Sequence, residues 1–199
     1  GATIFAAAPG VYRRMLKKND LPALPDLRHC LSAGEKMPPT LRADWKARTG
    51  QHVFEALGMS EVSTFISQPA YETPKVASAG RPQQGRRVAV LDRQTLDVVA
   101  LETPGILALD RFDPGLMLGY RDAPAETAAK FHNDWFLTGD TVSMDASGAI
   151  TYLGRADDMM NAGGFRVSPL EVETAFLADP RLREAAAFEA EVRDCLLYT

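Results

Sequence analysis

The hydrophobic pattern of this chain changes period partway along, and that change limits the folds open to it. Up to about residue 57, short apolar runs alternate with segments of helical period. Residues 3–8 read as a buried strand, residues 10–18 as a helix with Val11, Met15 and Tyr12 facing inward, and residues 27–31 as a second strand. Residues 39–49 make an amphipathic helix around Leu41 and Trp45, closed by Gly50, and residues 51–57 a third strand. Strands that alternate with helices pair in parallel through right-handed crossovers. After about Pro74 the pattern becomes short β runs broken by Gly, Pro and Asp, at residues 87–92, 98–101 and 105–110. Residues 136–143 and 149–153 flank the turn at 145–148, a hairpin. From Arg155 a polar, Gly-containing loop leads to Ser168-Pro169-Leu170-Glu171, a capping box with Pro at the first helical position. The expected fold is α/β, a partial parallel sheet with crossover helices over residues 1–73. An antiparallel, β-rich subdomain with the character of a distorted barrel follows over 74–156.

At 199 residues the chain can bury one core and begin a second lobe. A net charge of −4 and a pI near 5.4 exclude a general nucleic-acid binder, which needs clustered Lys and Arg against phosphates. Arg13-Arg14 and Lys17-Lys18 mark the solvated face of one helix. The two cysteines, Cys30 and Cys195, make neither a disulfide framework nor a metal cluster, and a reducing cytoplasm suits them. Nothing reads as a membrane span or a signal peptide. The chain starts at Gly1 and runs straight into the apolar residues 2–8, so further sequence upstream is expected.

Open α/β sheets bind ligands at small-residue turns beyond the carboxyl ends of their strands. Two such turns occur here, SAGEKMP at 32–38 and ALGMSE at 56–61. Their glycines let a flat ligand approach the backbone. Ser60 and Glu61 offer a hydroxyl and a carboxylate suited to a phosphate and its divalent cation. Each turn taken singly is also an ordinary strand exit. Farther on come Thr138-Gly139-Asp140 behind an aromatic pair, Gly154-Arg155-Ala156-Asp157-Asp158, and AGGFRVSP. An Asp can hold two vicinal sugar hydroxyls and an Arg can donate to the same sugar, although a turn carboxylate and a surface ion pair are the plainer readings.

The order SAGEKMP, GMSE, FLTGD, GRADD, AGGFR resembles the adenylate-forming superfamily of acyl-CoA synthetases, peptide-synthetase adenylation domains and luciferases. GLMLGYRDAPAETAAKF at 115–131 matches a further stretch of it. The resemblance covers nearly the whole chain. It implies that Gly34, Glu35 and Lys36 lie along the adenine with Leu57 and Gly58, that Ser60 touches the α-phosphate, and that Glu61 holds Mg²⁺. Leu57 stands where an aromatic residue is common, and Ser60 where Thr is usual. Asp140 and Arg155 would take the ribose hydroxyls, and Gly58 and Met59 would border the acyl pocket. Asp157 would be the hinge to a small α+β C-terminal domain begun at 157–199, with Gly163 and Gly164 beside the pantetheine tunnel and Arg166 approaching the triphosphate. The implied activity joins a carboxylic acid to CoA at the expense of ATP, through an acyl-adenylate. The family's phosphate loop and catalytic lysine fall outside these residues, so the chain would be a central fragment, inactive alone. Two alternatives stay open: an adenylation domain that loads a carrier protein, and a non-catalytic nucleotide-binding module. The acid, aromatic or aliphatic, and the oligomeric state are left open.

Overall fold

The computed structural model describes residues 1–18, 21, 23–75, 78–156, 158, 160–162, 165–179, 181–182 and 184–189, with backbone only at 161, 162, 165 and 166. Its first elements are β1 (Ile4–Ala6), α1 (Pro9–Leu16), β2 (His29–Ser32), α2 (Pro39–Thr49) and β3 (Val53–Met59). β1 pairs in parallel with β2, and β2 with β3, as the strand–helix alternation predicts. Each helix opens with a proline, whose missing N–H costs nothing in the first turn. α2 closes on Gly50 at φ 76°, its N–H bonded to the Lys46 carbonyl at 2.8 Å. The core beneath these helices joins Tyr12, Cys30, Leu41, Trp45 and Val53. Tyr12 is fully buried with its ring edge on Trp45, and its hydroxyl donates to the Leu31 carbonyl at 2.8 Å, which satisfies the polar end. Val11 and Met15, read as inward with it, are only half-buried; Arg13, Arg14, Lys17 and Lys18 are exposed as expected. β1 is a short edge strand with Ile4 61% exposed, where the apolar run predicted a buried one.

Past β3 the chain reverses through residues 60–62 into β4 (Ser63–Ser67), antiparallel to β3. β5 (Ser78–Pro82) pairs with β4 on one side and on the other with β10 (Ile150–Arg155). The rest of the β-rich part is β6 (Val88–Leu91), β7 (Gly105–Asp110), β8 (Phe131–His132) and β9 (Trp135–Met144), with α3 (Pro124–Ala129) before β8. One ten-stranded sheet results, in the order β1-β2-β3-β4-β5-β10-β9-β7-β6, with β8 on β9. Among the described residues the strand path does not close on itself, so the β-rich part is an open sheet and not a barrel. Its core is Val62, Phe65, Ile66, Val90, Leu107, Leu109, Val142 and Ile150. The expected strand at 98–101 is reduced to one bridge between Leu91 and Val98, and Val98 is 65% exposed.

The β9–β10 hairpin turns where predicted, with Asp145 Oδ1 accepting from the N–H groups of Ser147 and Ala149. A two-stranded antiparallel sheet, β11 (Met160–Ala162) and β12 (Phe165–Val167), precedes α4 (Pro169–Phe176). Ser168 caps that helix, its Oγ accepting from the Glu171 N–H at 3.3 Å. Among the described residues no helix is long and apolar enough to cross a membrane.

Candidate functional site

A cleft of about 230 Å³ opens where the parallel strands give way to the antiparallel ones. Gly34, Glu35 and Lys36 line it from the turn after β2, residues 55–59 from β3, Ser78 and Ala79 from β5, and Asp140, Tyr152 and Arg155 from the β9–β10 hairpin. Segments up to 121 positions apart in sequence thus meet at one surface. Gly34 sits at φ 91°, a left-handed turn that most side chains resist. The turn is tied down at Met37, whose N–H donates to Glu55 Oε1 at 2.8 Å. Gly58 lets β4 approach, since a Cβ there would stand 2.6 Å from the Ser63 carbonyl oxygen. β3 runs on through Met59, so most of the segment read as a turn at 56–61 is strand and only its end turns.

At the other end Asp140 and Arg155 face each other in register across the hairpin. A bulge between Tyr152 and Gly154 resets the side-chain alternation. Tyr152 and Arg155 both line the cleft, and both reach Asp140. Arg155 Nη1 donates to Asp140 Oδ1 at 3.1 Å, and the Tyr152 hydroxyl stands 3.5 Å from the same oxygen. Asp140 is 5% exposed; the Arg155 side chain keeps 43%. Burial lifts the Asp140 carboxyl above the ordinary value, and the charge of Arg155 opposes that lift. The Tyr152 phenol is pushed up to about 12 by burial and by the Asp140 charge. Thr138 braces the strand, its hydroxyl donating to the Leu107 carbonyl and accepting from the Asp140 N–H.

Ser60 and Glu61 occupy the reversal after β3, outside the residues that line the cleft. Ser60 is exposed. Glu61 is gripped by the loop after β7: the Tyr120 hydroxyl donates to Glu61 Oε1 at 2.7 Å, and the Met117 N–H to the Glu61 carbonyl at 2.6 Å. That loop is anchored by the ion pair of Arg86 with buried Asp113, whose Oδ1 also accepts from the Gly115 N–H. Among the described residues no three His, Cys, Asp or Glu side chains converge on a metal position. A hard cation beside Glu61 would draw its other oxygens from a ligand and water, the usual habit of Mg²⁺. Asp157, Gly163 and Gly164 lie outside the described residues; Arg166 belongs to β12, its side chain likewise outside.

Sequence reasoning missed Tyr120, Tyr152, Ser78 and the buried group Arg42, Glu55 and Gln68. Tyr152 lies two residues ahead of the Gly-Arg pair, but the bulge breaks the period that would assign its face. Arg42 adjoins Leu41 on α2, where the amphipathic reading counts a charge as solvated; it is 6% exposed.

The family model described as AMP-binding enzyme matches residues 1–121. The chain is 34% identical over 197 residues to the mitochondrial acyl-coenzyme A synthetase ACSM1 of Mus musculus, covering 94% of this chain and 33% of that protein. It superposes with a TM-score of 0.84 and 32% identity on the anthranilate CoA ligase AuaEII in complex with anthranoyl-AMP, covering 94% of this chain and 36% of the other. The O-succinylbenzoate coenzyme A synthetase MenE of Bacillus subtilis, in complex with ATP and a magnesium ion, superposes with a TM-score of 0.82 at 26% identity, over 96% of this chain and 40% of that one. The chain thus spans about a third of the length of the relatives it matches.

Proposed function

Because this chain belongs to the AMP-binding enzyme family, we propose that it is the central portion of an ATP-dependent acyl-CoA synthetase of the cytoplasm. A carboxylate oxygen attacks the α-phosphorus of ATP, the bond to the bridging oxygen breaks, and pyrophosphate leaves. The CoA sulfur then attacks the carbonyl of the acyl-adenylate and AMP leaves. The observation that carries this reading is the single cleft joining the turn after β2, β3 and the Asp140–Arg155 pair.

Gly34, Glu35, Lys36, Leu57 and Gly58 hold the base, and Gly58 and Met59 border the acid. Asp140 accepts from the ribose hydroxyls, since a carboxylate that already serves Arg155 keeps other lone pairs. Arg155 donates to the same sugar. Ser60 donates to the α-phosphate from its exposed turn. Glu61 would hold Mg²⁺, which when bound to phosphate oxygens offsets their charge. Tyr120 orients that carboxylate. No protein nucleophile is required, because positioning and electrostatics carry acyl and phosphoryl transfer of this kind. Residues 1–156 form the closing part of a large domain and 157–199 the beginning of a small one. Asp157 is the hinge, Gly163 and Gly164 flank the CoA arm, and Arg166 approaches the triphosphate.

The test is pyrophosphate release by the intact enzyme with MgATP, CoA and a panel of aromatic and aliphatic acids. Acid-dependent release followed by CoA-dependent AMP formation is expected. Acid-dependent release that never passes to CoA would overturn the ligase reading.

A further inference from the structure

Three buried side chains with no role in the chemistry above form one hydrogen-bonded unit beneath the cleft. Arg42 of α2, Glu55 of β3 and Gln68 just after β4 are 6%, 8% and 6% exposed. Glu55 accepts at Oε1 from the Met37 N–H and at Oε2 from Arg42. Arg42 also donates to the Val53 carbonyl and, at 3.4 Å, to Gln68 Oε1. Gln68 Oε1 accepts from the Glu55 N–H at 2.8 Å, and its Nε2 donates to the carbonyls of Lys75 and Ser78 at 2.8 and 2.6 Å.

Three walls of the cleft depend on this unit. The turn carrying Gly34–Lys36 hangs on the Met37 N–H, the last backbone donor before α2, because Pro38 and Pro39 have none. β3 is held through the Glu55 N–H, and β5 through the Ser78 carbonyl. A buried ion pair is weak grounds for stability, since desolvation offsets the attraction. What this one does achieve is to fix three separate segments against each other. Glu55 faces the cleft with both oxygens already engaged, so it acts through the turn.

Building on the nucleotide reading above, we infer that Arg42, Glu55 and Gln68 are positioning residues that set the grip on the purine base without touching the reacting atoms. Binding of AMP and of ribose 5-phosphate, which keeps the sugar hydroxyls and lacks the base, separates this role from general stability. Glu55→Gln keeps the shape but holds a guanidinium poorly. Arg42→Lys keeps the charge but cannot span Glu55, Val53 and Gln68 together. In the intact enzyme each should weaken AMP about tenfold, the worth of one good hydrogen bond, and ribose 5-phosphate by less than about twofold. Unchanged AMP affinity in both variants, or equal loss of both ligands, would overturn the inference alone. Wild-type enzyme that binds AMP no better than ribose 5-phosphate would overturn the nucleotide reading and this inference with it.

Discussion

Replacing Asp140 by Ala should cost nucleotide affinity and leave the fold nearly untouched. The carboxylate is buried; it accepts from Arg155 at 3.1 Å and stands 3.5 Å from the Tyr152 hydroxyl. Removing a charged acceptor of a ligand hydroxyl costs about 1.5–3 kcal/mol, or roughly ten- to 150-fold in the dissociation constant of ATP. Stability should change far less. Arg155 is 43% exposed, so water takes over its lost partner, and the desolvated carboxyl disappears with its cost. Less than about 1 kcal/mol is expected, a shift in Tm of about 2–4 °C for a domain of this size. The pH dependence follows from the upward shift of Asp140. A carboxyl whose folded value lies above its unfolded one favours the fold below the unfolded value, near 3.8, and loses that contribution as pH rises through the folded value. Asp140→Asn should therefore gain on wild type at neutral pH, and the difference should close below the ordinary carboxylate range. Calorimetry with ATP and thermal melts across pH check both halves. Unchanged ATP affinity would refute the sugar role, and a drop in Tm beyond about 10 °C would show that the carboxylate holds the hairpin together.

Glu61→Gln should lower the adenylation rate and raise the Mg²⁺ needed for half-maximal rate, while Tyr120→Phe, which frees the carboxylate to swing, should raise the Mg²⁺ requirement a few-fold and recover at saturating metal; a metal titration of pyrophosphate release decides both. Asp157→Pro fixes φ at the proposed hinge and should affect adenylation and thioester formation unequally, so equal loss in the two half-reactions would move the hinge elsewhere. Residues 1–199 alone should show no acid-dependent AMP release. One lost electrostatic donor costs about 10²–10³ in rate, and the resemblance read from the sequence would place the phosphate loop and the lysine outside these residues.

The legible parts of the fold were those in which local rules and tertiary packing agree. α2 matched at both ends because a proline opens it, a glycine closes it, and Leu41 and Trp45 share its inner face. The β9–β10 turn and the Ser168 cap were read from side chains that bond their own neighbours. β4 and β5 were not legible, and they join the two halves of the sheet. β4 is five residues long, and β5 contains Gly80 and Pro82, which read as loop. Gly80 is there because a Cβ at its φ of 109° would stand 2.0 Å from the backbone of Ser67, a contact invisible without the partner strand. Within the cleft, the residues of SAGEKMP, Asp140 and Arg155 were found as motif members. Tyr152 and Glu55 were not, nor was Arg42 beneath it, since a bulge hides the first and burial of charge is a tertiary event.

The seam between β5 and β10 has a consequence for how the chain is made. Ser78 donates to the Ile150 carbonyl across 72 positions of sequence, and Gly80 pairs with Ile150 in register. A ribosome releases the β2–β3 wall of the cleft first, and β5 waits with one edge unpaired until the β9–β10 hairpin emerges. Such an edge invites pairing with a neighbouring chain, and the proline at its end and the glycine at its centre blunt that tendency. Closing so long a loop is slow compared with forming the local α1–α2 layer. On the nucleotide reading proposed above, capture of AMP would therefore wait until β10 has emerged, and a labelled AMP analogue added during translation would mark the moment at which β5 finds its partner.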